Sequence, residues 1–169
     1  MSLAGRGCRV IEPNVRPGSQ DTIILLLCLG TQRVSAMAIA EHQAANKTRN
    51  TAGLRAAIRI LENWGATQEQ GVEVLRISRS TYNRAKRSEP GWEATIDRDQ
   101  LTRISMVLNI HAALRTVFEN PANLYGFMTM PNHNQWFEGR TPLDTMISGG
   151  FPGLYETFKR IDGLRGAQW

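Results

Sequence analysis

The sequence predicts an all-α protein, and three features carry that prediction. Apolar residues recur at helical spacing through Leu54, Ala57, Ile58, Leu61 and Trp64, and again through Leu101, Ile104, Leu108, Ala112, Val117 and Phe118. Helix-start signals stand ahead of the segments: Thr67 with Gln70 three residues on, Ser78, the pair Asp97 and Asp99, and Thr141 followed by Pro142. Breakers close several of them, at Gly65, at Pro90-Gly91 and at Gly149-Gly150.

Bulk composition sets the outer limits. A chain of 169 residues, 41% hydrophobic and 21% charged, holds one domain or two small ones and lies far from a disordered composition. The net charge of +5 makes an anionic partner plausible without identifying one. Two cysteines, Cys8 and Cys28, and three scattered histidines, His42, His111 and His133, show none of the usual metal-ligand spacings. They fit a reducing, cytoplasmic compartment better than a disulfide framework. No nucleophile–base arrangement, phosphate-binding glycine loop or paired-carboxylate signature is readable. The sequence therefore assigns no catalytic residue, no metal and no cofactor, and the protein is not read as an enzyme.

Residues 1–50 are read as a poorly ordered extension. The first twenty are rich in Gly, Pro and Arg and carry no periodicity. The apolar run Ile23 to Leu29 is far shorter than the roughly 20 residues a membrane helix needs. Arg6, Arg9 and Arg16 before it, and Val34-Ser35-Ala36 after it, sketch a secretory leader, but Arg33 sits awkwardly ahead of that cleavage site and Leu27 is wrong before a lipoprotein cysteine. An extension is the favoured reading, with Met37 as an alternative start.

The first periodic segment defines a helix ending near Gly65. A second helix over about Gln68 to Leu75 follows the Thr67 cap, turning Val72 and Leu75 inward; Gly71 within it costs about 1 kcal/mol against Ala unless another helix approaches closely. After Arg76-Ile77, Ser78 caps a third helix reading Arg79 to Arg87, with Tyr82 and Ala85 inward. Arg79, Ser80, Asn83, Arg84 and Arg87 share the opposite face by the three–four rule, with Lys86 beside them. Such a face suits the major groove, where Arg grips guanine and Asn grips adenine; Lys86 and Arg87 near the helix end suit phosphates. These six residues are the candidate DNA contacts. The segment resembles the helix-turn-helix of the Xre family. In such motifs the position before Ile77 is commonly glycine; Arg76 stands here, and a non-glycine residue at positive φ costs about 1 kcal/mol.

A long helix over about Arg98 to Phe118 comes next, with an apolar stripe wide enough to pack on two sides. His111 within it has no readable acidic partner and is read as structural. This helix completes a module spanning 51–118 and joins it to a small helical domain over 119–169.

In that last domain Asn120-Pro121 opens a short helix, and Thr141-Pro142 opens another with Asp144 in its first turn. A final helix spans about Gly153 to Leu164 with Leu154, Phe158 and Ile161 inward. Trp136, Phe137, Phe151 and Tyr155 suit a small core. Trp169, after Gly166-Ala167-Gln168, suits an anchor into a partner. The order Pro131-Asn132, Gly139-Arg140-Thr141-Pro142-Leu143-Asp144, Gly149-Gly150 resembles the toxin-binding domain of Xre/MbcA/ParS antitoxins from RES–Xre toxin–antitoxin pairs. Together with the Xre-like module the resemblance covers about Leu54 to Arg165. Where the family is usually Leu-rich, this chain reads His133-Asn134-Gln135-Trp136-Phe137.

The resemblance implies an antitoxin that binds and blocks a RES-domain toxin, an NAD-consuming enzyme, and that binds its own operator DNA as a homodimer. Asn132, Trp136, Arg140 and Trp169 are the candidate toxin contacts. The rival expectation is a stand-alone helix-turn-helix regulator whose C-terminal part dimerises or senses a ligand.

Overall fold

The computed structural model describes residues 20–166, with side chains from residue 41 onward. Seven helices follow in order: α1 (Gln20–Asn63), α2 (Gln68–Leu75), α3 (Arg79–Lys86), α4 (Arg98–Val117), α5 (Pro121–Gly126), α6 (Pro142–Ser148) and α7 (Gly150–Leu164). No strand occurs among the described residues. The chain divides at Gln43 into two units; from Ala44 onward it forms the larger one, which holds the core.

The sequence reading placed the start of the first helix near Leu54 and left residues to 50 without regular structure; the backbone is helical from Gln20. Ala and Leu, both strong helix formers, are the most frequent apolar residues of the upstream segment, without the three–four spacing that makes an apolar stripe. Periodicity therefore had nothing to register there. From Leu54 the expected face is present: Leu54, Ala57, Ile58, Leu61 and Trp64 are all buried. Gly65, at φ +80°, then turns the chain.

Capping fixes the next boundaries. The Thr67 hydroxyl accepts from the Gln70 amide at 3.3 Å while the Gln70 side chain accepts from the Thr67 amide at 2.8 Å, closing the predicted capping box. Asp97 and Gln100 build a second one, at 2.8 and 3.0 Å, at the start of α4. Thr141 caps α6, accepting from the Asp144 amide at 3.0 Å, with Pro142 in the first turn. Each cap satisfies an amide that the helix start leaves without a partner, worth about 1 kcal/mol.

Helix α4 is the central strut, packing on α7, α2 and α5. Its buried side is Ile104, Met106, Val107, Ile110, Ala113 and Leu114. Of the residues expected to line this helix, Ile104, Ile110 and Leu114 are buried and Leu108 is half-buried, whereas Leu101 is 39% exposed and Ala112 is also exposed. Both sides of this helix are apolar, so spacing alone leaves its rotation open. One continuous core runs from Leu54 of α1 to Ile161 of α7, so the helix-turn-helix and the C-terminal helices share it.

His111 is held by that packing. Its ring lies between Trp64 and Tyr125, with centroids 6.4 and 6.0 Å away, and its buried Nδ1 has no hydrogen-bond partner among the described residues. Burial, then the charge of Arg115, pushes the imidazole below its ordinary value near 6.5. As pH falls the unfolded chain takes up that proton first. Stability contributed by the neutral ring is therefore complete above about pH 6.5 and declines toward the lower folded value. His111→Gln is expected to remove this part of the loss as pH falls below about 6.5, read from urea midpoints. An unchanged pH dependence in the variant would count against the assignment.

Candidate nucleic-acid and partner interfaces

The turn between α2 and α3 decides whether the basic helix can be presented to DNA. Arg76 caps α2 in the left-handed conformation, at φ 53° and ψ 43°. The family's usual glycine is absent, yet the turn keeps the glycine geometry. Three contacts hold it. The guanidinium pairs with Asp97 and Asp99 at 2.5 Å each, and the Arg76 carbonyl accepts from the Gln100 side chain at 2.9 Å. Asp99 also pairs with Arg103 at 2.9 Å, and Arg103 donates to the Val74 carbonyl at 3.1 Å. Backbone hydrogen bonding from Gln100 and the Arg76 charge hold the Asp97 carboxyl below the usual range, and Arg103 and Arg76 do so for Asp99 against its burial. The start of α4 thus ties down the turn.

Arg76→Gly and Arg76→Ala remove the same contacts, but only Ala keeps the left-handed cost. The Gly variant is expected to be more stable than the Ala variant by about 1 kcal/mol in denaturant unfolding. Equal midpoints would mean that the turn relaxes out of the left-handed region.

Gly71 supplies the close approach that its presence in α2 demands. A Cβ there would lie 2.8 Å from Cε2 of Tyr82, so the glycine lets α3 seat its aromatic ring against α2. The Tyr82 hydroxyl donates to Glu62 at 3.0 Å, and burial followed by that carboxylate pushes the phenol up. Ser78 caps α3, accepting from the Thr81 amide at 3.1 Å.

All six candidate DNA residues lie on or at the end of α3, and Arg79, Ser80, Arg84, Lys86 and Arg87 are exposed; Asn83 is half-buried. Three of the cations meet acids of this chain: Arg79 pairs with Glu69 at 3.4 Å, Arg84 with Glu89 at 2.9 Å and Lys86 with Glu62 at 2.7 Å. The Arg84 guanidinium also lies over the Trp92 ring, 5.2 Å from its centroid. Of these partners only Glu89 stands beside the basic cluster in the sequence. Arg79–Glu69 and Lys86–Glu62 span α3 and its neighbours, and no local spacing announces them.

In the C-terminal part, the loop 132–140 is a closed unit. The Asn132 amide donates to the Arg140 carbonyl at 3.1 Å, and the Gly139 amide donates to the Asn132 carbonyl at 2.9 Å. Inside it, the Asn134 side chain accepts from the Trp136 and Phe137 amides at 3.1 and 3.2 Å. Glu138 and Gly139 both take positive φ, at 51° and 83°, to close the turn. The loop brings Asn132 and Arg140 together through backbone. Phe137 points into the protein, Trp136 is half-buried beneath Arg160 at 5.4 Å, and Arg140 is exposed. Trp169 lies outside the described residues. Phe151 and Tyr155, read from sequence as core, are exposed, because α7 buries Leu154, Thr157 and Ile161 instead.

A cavity of about 250 Å³ opens between this loop and the ends of α4 and α7. Among the described residues no cluster of His, Cys, Asp or Glu could hold a metal ion.

Comparison with known proteins matches the same two parts. Residues 43–109 match the antitoxin Xre-like helix-turn-helix domain, and residues 113–166 match the antitoxin Xre/MbcA/ParS C-terminal toxin-binding domain. The chain is also similar to the uncharacterized protein y4oB of Sinorhizobium fredii (strain NBRC 101917 / NGR234), 28% identical over 124 residues, which cover 73% of this chain and 92% of that protein. The first match begins upstream of Leu54, where the sequence reading had begun its own.

Proposed function

Because this chain belongs to the Xre-type antitoxins of toxin–antitoxin systems, we propose that its partner is a RES-domain, NAD-consuming toxin, and that it represses its own operon through α3. The observation that carries the reading is the joining of two parts in one core: a capped helix-turn-helix exposing Arg79, Ser80, Arg84 and Arg87, and the closed loop from Asn132 to Arg140 leading into Thr141-Pro142-Leu143-Asp144. Arg79, Ser80 and Asn83 are assigned to base edges, with Lys86 and Arg87 on phosphates. Arg84, stacked on Trp92 and paired with Glu89, approaches phosphate from the helix end. Asn132, Trp136 and Arg140 are assigned to the toxin, with Trp169 as an added anchor. Helix-turn-helix proteins meet paired half-sites as dimers, so a homodimer acting in the cytoplasm completes the proposal. Among the described residues no helix is long and apolar enough to cross a membrane.

The test is co-expression with the neighbouring gene, followed by affinity purification and a growth assay. A stable complex that relieves toxicity is the expected result. No complex and no rescue, with binding to upstream DNA retained, would mean a stand-alone regulator with a dimerising or ligand-sensing C-terminal part.

A further inference from the structure

Resting on the toxin-binding reading, we infer that the partner docks by inserting one apolar side chain, flanked by a carboxylate, into the cavity beside Arg160. The walls are Val117, Phe118, Phe127, Phe137, Ile161 and Leu164, all within the span matched to a toxin-binding domain. About 250 Å³ is below the usual range for small-molecule sites of roughly 300–1,000 Å³ and suits a single anchoring side chain.

Three polar residues also line it: Asn132, Asn134 and Arg160. The asparagine oxygens are committed, Asn132 to the Asn134 amide at 3.0 Å and Asn134 to the Trp136 and Phe137 amides. Arg160 is held only by a loose ion pair with Glu156 at 3.8 Å, longer than a hydrogen bond, and it shares that carboxylate with Lys159 at 3.4 Å. The Arg160 guanidinium lies over the Trp136 ring, 5.4 Å from its centroid, and is exposed, with five N–H donors and one loose ion pair. A cation with unused donors at the mouth of an apolar hole selects an acidic residue next to an apolar one.

The experiment uses the full chain and the RES-domain toxin encoded beside its gene, with affinity measured in solution. Val117→Trp fills the cavity, Arg160→Glu reverses the charge, and Phe151→Ser alters an exposed aromatic away from it. Thermal unfolding checks that each variant folds; Arg160→Glu, at an exposed site, keeps the test open if Val117→Trp does not. The expected result is a loss of at least about tenfold in affinity for the first two and less than about twofold for the third. Folded Arg160→Glu binding within about twofold of wild type would overturn the inference while leaving the antitoxin reading intact. A wild-type chain that binds no such toxin would overturn the reading on which the inference rests.

Discussion

Gly153→Ala is expected to destabilise the protein by about 3 kcal/mol and to lower Tm by on the order of 10 °C. A Cβ on Gly153 would stand 2.3 Å from the Thr145 carbonyl oxygen and 3.4 Å from its carbon. Gly149 is crowded too, though less: its Cβ would meet the Gly153 Cα at 2.7 Å and the same carbonyl oxygen at 2.9 Å. The obstacle is backbone, so no rotamer change relieves it. Helix α6 would have to move off α7, opening the contact around Met146, Leu154 and Ile161, all fully buried. That strain outweighs the roughly 1 kcal/mol that Ala gains over Gly in a helix interior. Gly163 is the control, because it lies in the same helix with nothing near its would-be Cβ. Gly163→Ala is expected to stabilise by up to about 1 kcal/mol. If the two substitutions shift thermal unfolding alike, the close crossing of α6 and α7 is wrong.

Arg79→Ala and Asn83→Ala are each expected to weaken operator binding by about 1–3 kcal/mol, roughly 5- to 150-fold, and to relax sequence preference. Lys86→Ala should behave differently. It should weaken binding uniformly across sequences and reduce the slope of log affinity against log salt by about 1. The acids of this chain add a second expectation. Glu69→Gln frees Arg79 from a pair at 3.4 Å between two exposed side chains, and should raise rather than lower affinity for DNA, modestly, as exposed pairs are weak. Titrations on operator and scrambled duplexes at several salt concentrations separate these effects. Equal losses on both duplexes for Asn83→Ala would remove it from base readout.

How much of this was readable in advance differs by element. The bounds of α2 were legible because both ends are written locally: a Thr67–Gln70 box at one end and the Arg76-Ile77 break at the other. The buried face of α1 was legible because its other side is polar. The first turn of α7 was not. It begins at Gly150 rather than near Gly153, since Gly149, which reads as a break, lets α6 and α7 cross closely together with Gly153. Glu62 and Glu69 were missed as partners of the basic helix, although each is plain in the sequence; only Glu89 stands close enough along the chain to be noticed beside it. Glu62 serves Tyr82 and Lys86 through a contact that spans 20 residues or more, and ion pairs between helices leave no periodic mark.

The sequence by itself determined the starts of α2 to α6 with their caps and the basic face of α3. Each rests on hydrogen bonds or spacing within three or four residues, so neighbours along the chain suffice to specify it. Only the tertiary structure decided which side of α4 is buried, why Arg76 holds a left-handed turn without glycine, and where a cavity opens beside Arg160. Those outcomes depend on groups brought together from distant parts of the chain: Asp97 and Asp99 reaching back to Arg76, and the ends of α4 and α7 meeting the loop at Phe137. Local pattern sets each helix, but packing free energy summed over the whole core sets how the helices face one another.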